Sequence, residues 1–157
     1  MNGAARPMQL LKLTALDADD LAIISAHLQD AVARIGDIAF LRRQATFALV
    51  ANRFVWTAAG VGAPAGERRQ AGLAINRVRR ARSTRIRQGA PDAVVSLLAI
   101  TFTPEAEGAG GAIDLTFSGG GAIRLEVECI EAQLSDLGEA WATANVPRHD
   151  LDGQAPK

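Results

Sequence analysis

The first patterned segment of the chain has the spacing of a helix. In residues 16–36 (LDADDLAIISAHLQDAVARIG) apolar side chains recur every three or four positions, at Leu21, Ile24, Leu28, Ala31 and Ile35. That spacing predicts one amphipathic helix. Asp17 is predicted to cap its first turn, with Asp20 completing a shortened capping box. Gly36 is predicted to end the helix in a left-handed conformation.

After Gly36 the period of the apolar positions changes to two. Residues 37–56 (DIAFLRRQATFALVANRFVW) predict a hairpin with its turn near Arg43–Ala45. The glycine-rich segment 57–70 predicts a loop. Residues 71–78 predict a further strand, and residues 79–87 extend it beyond a bend.

Residues 93–103 (AVVSLLAITFT) are apolar at both parities. This pattern predicts a strand that is covered on both faces. Two alternating strands follow, 113–117 and 123–129, with three glycines between them. Their apolar sets share one face if Phe117 opposes Ile123, so the glycines are predicted to form a three-residue loop with positive φ.

Ile130, Leu134, Leu137 and Trp141 are spaced four, three and four, which predicts a C-terminal amphipathic helix. The expected fold class is therefore α+β: an N-terminal helix, six or seven mostly antiparallel strands in a bent sheet or pleckstrin-homology-like barrel, and a C-terminal helix. One domain is expected over residues 10–147, with flexible tails at 1–9 and 148–157. The predicted core consists of Ile113, Leu115, Phe117, Ile123, Leu125, Val127, Leu134, Leu137 and Trp141.

Composition narrows the class of protein. The 157 residues suit one domain, and 17 basic residues balance 17 acidic ones, so no net charge draws the chain toward nucleic acid or anionic membrane. Cys129 is the only cysteine, which excludes an internal disulfide. No signal peptide and no membrane-spanning run is evident. We therefore expect a soluble cytoplasmic protein.

Arginine is the one anomaly of the composition. Eight arginines and no acidic residue fall in residues 68–87. Guanidinium groups suit carboxylates and phosphates, but a basic exposed strand also protects a sheet edge against pairing. Both interpretations stay open. The candidate residues for binding an anion or a partner are Arg77, Arg79, Arg80, Arg82 and Arg85. A bulge near Val78 would send Arg80 and Arg82 to solvent.

Other candidate chemistry is weaker. The glycines lack the lysine and the Ser/Thr of a P-loop and precede a strand, so a turn is favoured over a phosphate site. Cys129 is expected to be a small core residue, and His27 and His149 are too far apart in sequence to suggest a metal site. No catalytic residue, metal or cofactor is predicted.

Several blocks, among them DLAIISAHLQDAV, GDIAF, ANRFVW, PDAVVSLLAITF and GGGAIRLEVECIEAQLSDLG, resemble a small proteobacterial family of unknown function. The resemblance covers roughly residues 10–147 and implies a single-domain protein without a known activity. A non-catalytic binding or adaptor module is the favoured function, with an unidentified protein or anionic ligand as partner. An enzyme of unrecognised type is the alternative, and a nucleic-acid-binding protein ranks below both, because the arginine window has no aromatic residue. A homodimer is also expected.

Overall fold

A computed structural model describes residues 10–55 and 68–138. Within these residues it contains ten β-strands, all in one mostly antiparallel sheet, and a single α-helix. In chain order the elements are β1 (Lys12–Ala15), α1 (Ala18–His27), β2 (Val32–Arg34), β3 (Ile38–Leu41), β4 (Thr46–Phe54), β5 (Arg68–Ile75), β6 (Val78–Thr84), β7 (Val94–Pro104), β8 (Gly111–Phe117), β9 (Ala122–Val127) and β10 (Ala132–Asp136).

The sheet runs in the order β1-β10-β5-β4-β2-β7-β8-β9-β6, and β3 pairs with β4. It bends back on itself because β5 continues into β6 and β9 continues into β10. The two bends lie side by side: Asn76 N–H donates to the Glu131 carbonyl at 2.8 Å, and Glu128 N–H donates to the Arg77 carbonyl at 3.0 Å. The β5–β10 and β6–β9 pairs are therefore continuous with each other across the bends. Within the described residues β1, β3 and β6 pair on one side only.

The hydrophobic core lies inside this bent sheet, beneath α1. Leu21 and Ile24 of the helix are buried, and the helix packs against β1 and β7. Ser25 joins the helix to the sheet, since its hydroxyl accepts a hydrogen bond from Ile100 N–H at 2.9 Å. The largest fully buried side chains are Phe47, Phe117, Leu21, Ile24, Leu28, Leu49, Ile75, Leu97, Ile113, Leu115, Leu125 and Leu134. Of the predicted core, Leu137 is only half-buried and Trp141 lies outside the described residues.

The predicted start of α1 is confirmed and its predicted end is wrong. The Asp17 side chain accepts a hydrogen bond from Asp20 N–H at 2.8 Å, as expected of a cap. The helix ends at His27, however, and β2 follows. Ala31, Ala33 and Ile35 are buried in alternation. The four-residue spacing between Ala31 and Ile35 is compatible with a strand as well as with a helix. The segment forms a strand because it pairs with β7.

The predicted C-terminal helix is also wrong, and with it the α+β fold class and its pleckstrin-homology analogy. Residues 132–136 form β10, which pairs with β1 and β5. Ile130, Ala132, Leu134 and Asp136 are buried in alternation. A carboxylate at a core position interrupted the apolar pattern and hid its period of two. The proposed limits of one domain at 10 and 147 stay a prediction, because residues 139–147 lie outside the described part.

The two predicted hairpins form, with one change of register. The β3–β4 hairpin turns through Arg42–Gln44 and Ala45, as expected. In the β8–β9 hairpin Ile123 opposes Leu115 rather than Phe117. This shift of two residues preserves the buried face. The connection is a 3-10 turn, Ser118–Gly120, followed by Gly121.

The predicted burial of both faces of β7 is wrong. Val94 and Leu98 on this strand are 58% and 44% exposed. Apolar side chains at both parities therefore did not mean a strand buried on both sides.

Candidate functional site

The arginines singled out in the sequence lie on and around edge strand β6. Arg77 occupies the bend between β5 and β6 in a left-handed conformation, with φ of 62°. Arg85 follows the end of β6 and is also left-handed, with φ of 56°. Both are strained positions for a non-glycine residue. Between them lie Arg79, Arg80 and Arg82, all exposed.

The predicted bulge near Val78 is present, and it sets the direction of the side chains beyond it. The register of β6 against β9 shifts between Val78 and Arg80. Ala81 then opposes Leu125, a fully buried residue. Because side chains alternate along a strand, Arg80 and Arg82 lie on the opposite, outward face.

The arginines before the bulge have carboxylate partners. Arg77 lies 3.8 Å from Glu128 and 3.5 Å from Glu131, across the bend. Arg79 lies 3.6 Å from Glu105, the residue that follows β7. All these side chains are 38–58% exposed, so each pair contributes little to stability. The charges of Arg77 and Arg79 are thus matched by carboxylates of the same fold.

The outward arginines beyond the bulge are less well matched. Arg82 stands opposite Arg124 and reaches Glu126 only at 4.0 Å. Arg124 is itself held by Asp114, through hydrogen bonds of 3.0 and 3.3 Å. Arg80 stands directly opposite Glu126 in the register, but it makes no ion pair with any residue in 10–55 or 68–138. Positive charge therefore exceeds negative charge on this face of the sheet.

The glycine turn supports the end of this arginine strand. Gly119 and Gly120 have φ of 81° and 89°, which explains two of the three glycines. A Cβ at Gly120 would lie 3.0 Å from an Arg85 guanidinium nitrogen, and one at Gly121 would lie 2.8 Å from Ile86 Cδ1. The chain after β6 thus packs closely over the turn. We name Arg80, Arg82 and Arg85 the arginine edge.

A second polar cluster was missed in the sequence. Arg53 and Asp136 form a bidentate ion pair with two 2.8 Å contacts, and their side chains are 7% and 0% exposed. Leu11 N–H donates to the same carboxylate at 2.9 Å. Arg53 continues the inward parity of Phe47 and Leu49. Arg53 and Asp136 each occupy a position in the sequence where the alternation of their strand places a side chain in the core. Two opposite charges at such positions could have revealed the pair.

The surroundings of this pair shift two pKa values. Burial of the Asp136 carboxyl opposes its ionisation, but hydrogen bonds from Arg53 and Leu11, with the charges of Arg53 and Arg69, hold its pKa below 3.8. Burial at the end of α1, together with the charge of Arg53, lowers the pKa of His27 below 6.5 despite the nearby Asp136. His27 is therefore neutral at physiological pH.

The other residues considered in the sequence as catalytic or metal-binding candidates do not form a site within the described residues. Cys129 is half-buried. Exposure of this degree does not by itself make a thiol reactive. No group of three His, Cys, Asp or Glu side chains in the described ranges lies close enough to hold a metal ion. His149 falls outside those ranges. No catalytic arrangement emerges from the described residues.

Residues 11–149 match the family model described as Protein of unknown function (DUF2948). No curated protein matches the chain, and neither does a solved structure. In the part of the chain that the structure describes, no helix has the length and apolar character needed to cross a membrane.

Proposed function

Because the chain belongs to the DUF2948 family, whose description gives no activity, we propose a function from its contacts: it is a non-catalytic binding module whose arginine edge recognises an acidic partner. One observation carries the proposal. Arg80 and Arg82 are exposed on the same side of an edge strand, while Arg77 and Arg79 are matched by carboxylates.

The chemistry of the partner follows from the guanidinium group. Planar guanidinium donors match carboxylate and phosphate oxygens in two-point contacts and keep their charge at any physiological pH. The nearby carboxylates do not use this capacity fully, since Glu126 approaches Arg82 no closer than 4.0 Å. An acidic protein segment satisfies both the charge and the donors.

Charge reversal tests the proposal. The double variant Arg80→Glu/Arg82→Glu should lose binding of fluorescently labelled polyglutamate, and wild-type binding should weaken as salt screens the exposed charges. The matched control is Lys12→Glu/Arg68→Glu, which makes the same change of net charge at exposed positions on β1 and β5. The control should keep binding. Equal losses in both double variants would reduce the effect to net charge and overturn the proposal.

A further inference from the structure

The backbone of β6, which carries the arginines, has hydrogen-bonding groups without a partner in the described residues. β6 is the last strand of the sheet and pairs with β9 along one side. Along its other side, no residue from Arg80 to Thr84 forms a backbone hydrogen bond with any residue of 10–55 or 68–138. An edge of this kind is a template for another strand.

The ends of this edge are defined. The bulge between Val78 and Arg80 and the hydrogen bond from Val78 N–H to the Ala45 carbonyl, at 2.9 Å, fix its beginning. The left-handed Arg85, packed over the glycine turn, ends it. A short straight stretch of backbone, Arg80–Thr84, remains between the two.

We propose that the acidic partner adds to the sheet as a strand along Arg80–Thr84, with acidic side chains at alternating positions facing Arg80 and Arg82. This inference rests on the proposed function and specifies how the partner binds. Arg80 and Arg82 are two positions apart, so their side chains are about 7 Å apart along the strand. Alternate residues of an added strand have the same spacing. Their Cβ atoms would lie about 4.5–5.5 Å from those of the arginines.

The same geometry argues against a second copy of this chain as the occupant. Two β6 strands in antiparallel register would bring Arg80 and Arg82 against their own counterparts, and like charges directly opposite each other are destabilising. Arg82 already faces Arg124 within the sheet. The edge therefore selects an acidic strand from another protein. The expected homodimer stays a prediction, and it would need a different surface.

Backbone methylation of a peptide separates strand addition from simple charge attraction. The probe is a short peptide of the repeating dipeptide Glu-Thr, with a Lys-Thr repeat as the control of opposite charge. Two further Glu-Thr peptides carry N-methyl groups, one on the glutamate amides and the other on the threonine amides. In an antiparallel pair alternate residues direct their N–H groups to the partner strand. One methylated peptide should thus lose about tenfold or more in affinity and the other should bind like the parent.

The outcomes are distinguishable. If the two methylated peptides bind equally well or lose affinity equally, strand addition is overturned, while polyglutamate binding through Arg80 and Arg82 can still stand. If neither polyglutamate nor the Glu-Thr peptide binds wild-type protein, both proposals fail. If the Lys-Thr peptide binds as well as the Glu-Thr peptide, the charge selectivity of the edge is refuted. Loss of Glu-Thr binding in Arg80→Glu/Arg82→Glu, with retention in Lys12→Glu/Arg68→Glu, assigns the contact to β6.

Discussion

The arginine of the buried pair and the arginines of the edge show what burial does to the same side chain. Arg53 is 7% exposed and meets Asp136 in two short contacts, whereas Arg82 is 64% exposed and approaches Glu126 only at 4.0 Å. Inside the sheet a guanidinium group must be fully paired, because its desolvation is costly. At the edge water solvates it. The buried arginine is thus committed to the fold, whereas the exposed ones keep their contact with solvent.

The buried pair should give the largest effect. Arg53→Met leaves the Asp136 carboxylate buried without its main partner, so the free energy of unfolding should fall by about 3–5 kcal/mol. The double variant Arg53→Met/Asp136→Leu should be more stable than Arg53→Met, because no unpaired charge remains. Chemical denaturation of the wild type, of Arg53→Met, of Asp136→Leu and of the double variant measures this coupling. Additive losses from the two substitutions would show that the pair does not act as a unit.

The comparison can be sharpened on a single strand, since β9 has one face in the core and one in solvent. Leu125 is fully buried, and Leu125→Ala should lower the free energy of unfolding by about 2–5 kcal/mol. Arg124→Ala, its neighbour on the outward face, should cost about 1 kcal/mol or less. Denaturant midpoints of the two variants check the register. A loss below about 0.5 kcal/mol for Leu125→Ala would contradict a core position.

The β8–β9 hairpin and the segment that follows it show what the sequence could and could not predict. Strong alternation in β8 and β9, with glycines between them, predicted the hairpin and its buried face. The bulge near Val78 that was considered on the sequence alone is present, and Arg80 and Arg82 beyond it face outward as hypothesised. The prediction of a C-terminal helix was wrong because Ile130, Leu134 and Leu137 have the spacing of an apolar helical face. Asp136 concealed the competing alternation, and its true partner, Arg53, is 83 residues away.

The spacing of residues along the chain also could not show which arginines of the candidate site have carboxylate partners. Which arginines keep free donors depends on carboxylates far away in the sequence, such as Glu105 for Arg79 and Glu131 for Arg77. No spacing within residues 68–87 contains that information. The sequence could therefore select the group of arginines but could not separate its paired members from its unmatched ones.

The third expected effect is acid sensitivity from the buried region. The His27 pKa is lowered in the fold, so the unfolded chain binds the proton more readily, and stability should decline as pH falls through 6.5. The Asp136 pKa is also lowered. Its contribution to stability is present above 3.8 and is lost as pH falls through the folded value. Urea denaturation across these pH ranges should show both steps.

Two variants assign these steps. His27→Gln should flatten the decline near pH 6.5 and leave the acid step, whereas Asp136→Asn should remove the acid step. A decline near pH 6.5 that is unchanged in His27→Gln would contradict the assignment of that step to His27.

The smallest expected effect is that of Arg82→Glu on stability. The new carboxylate would stand opposite Arg124, which is favourable, and near Glu126, which is unfavourable. Both interactions are exposed to solvent and screened by salt, so the free energy of unfolding should change by no more than about 0.5 kcal/mol. Arg53→Glu is the matched substitution in the core, where the same reversal should prevent stable folding. If Arg82→Glu costs more than about 2 kcal/mol, Arg82 is a structural residue, and binding lost in variants that contain this change would reflect unfolding rather than a lost contact.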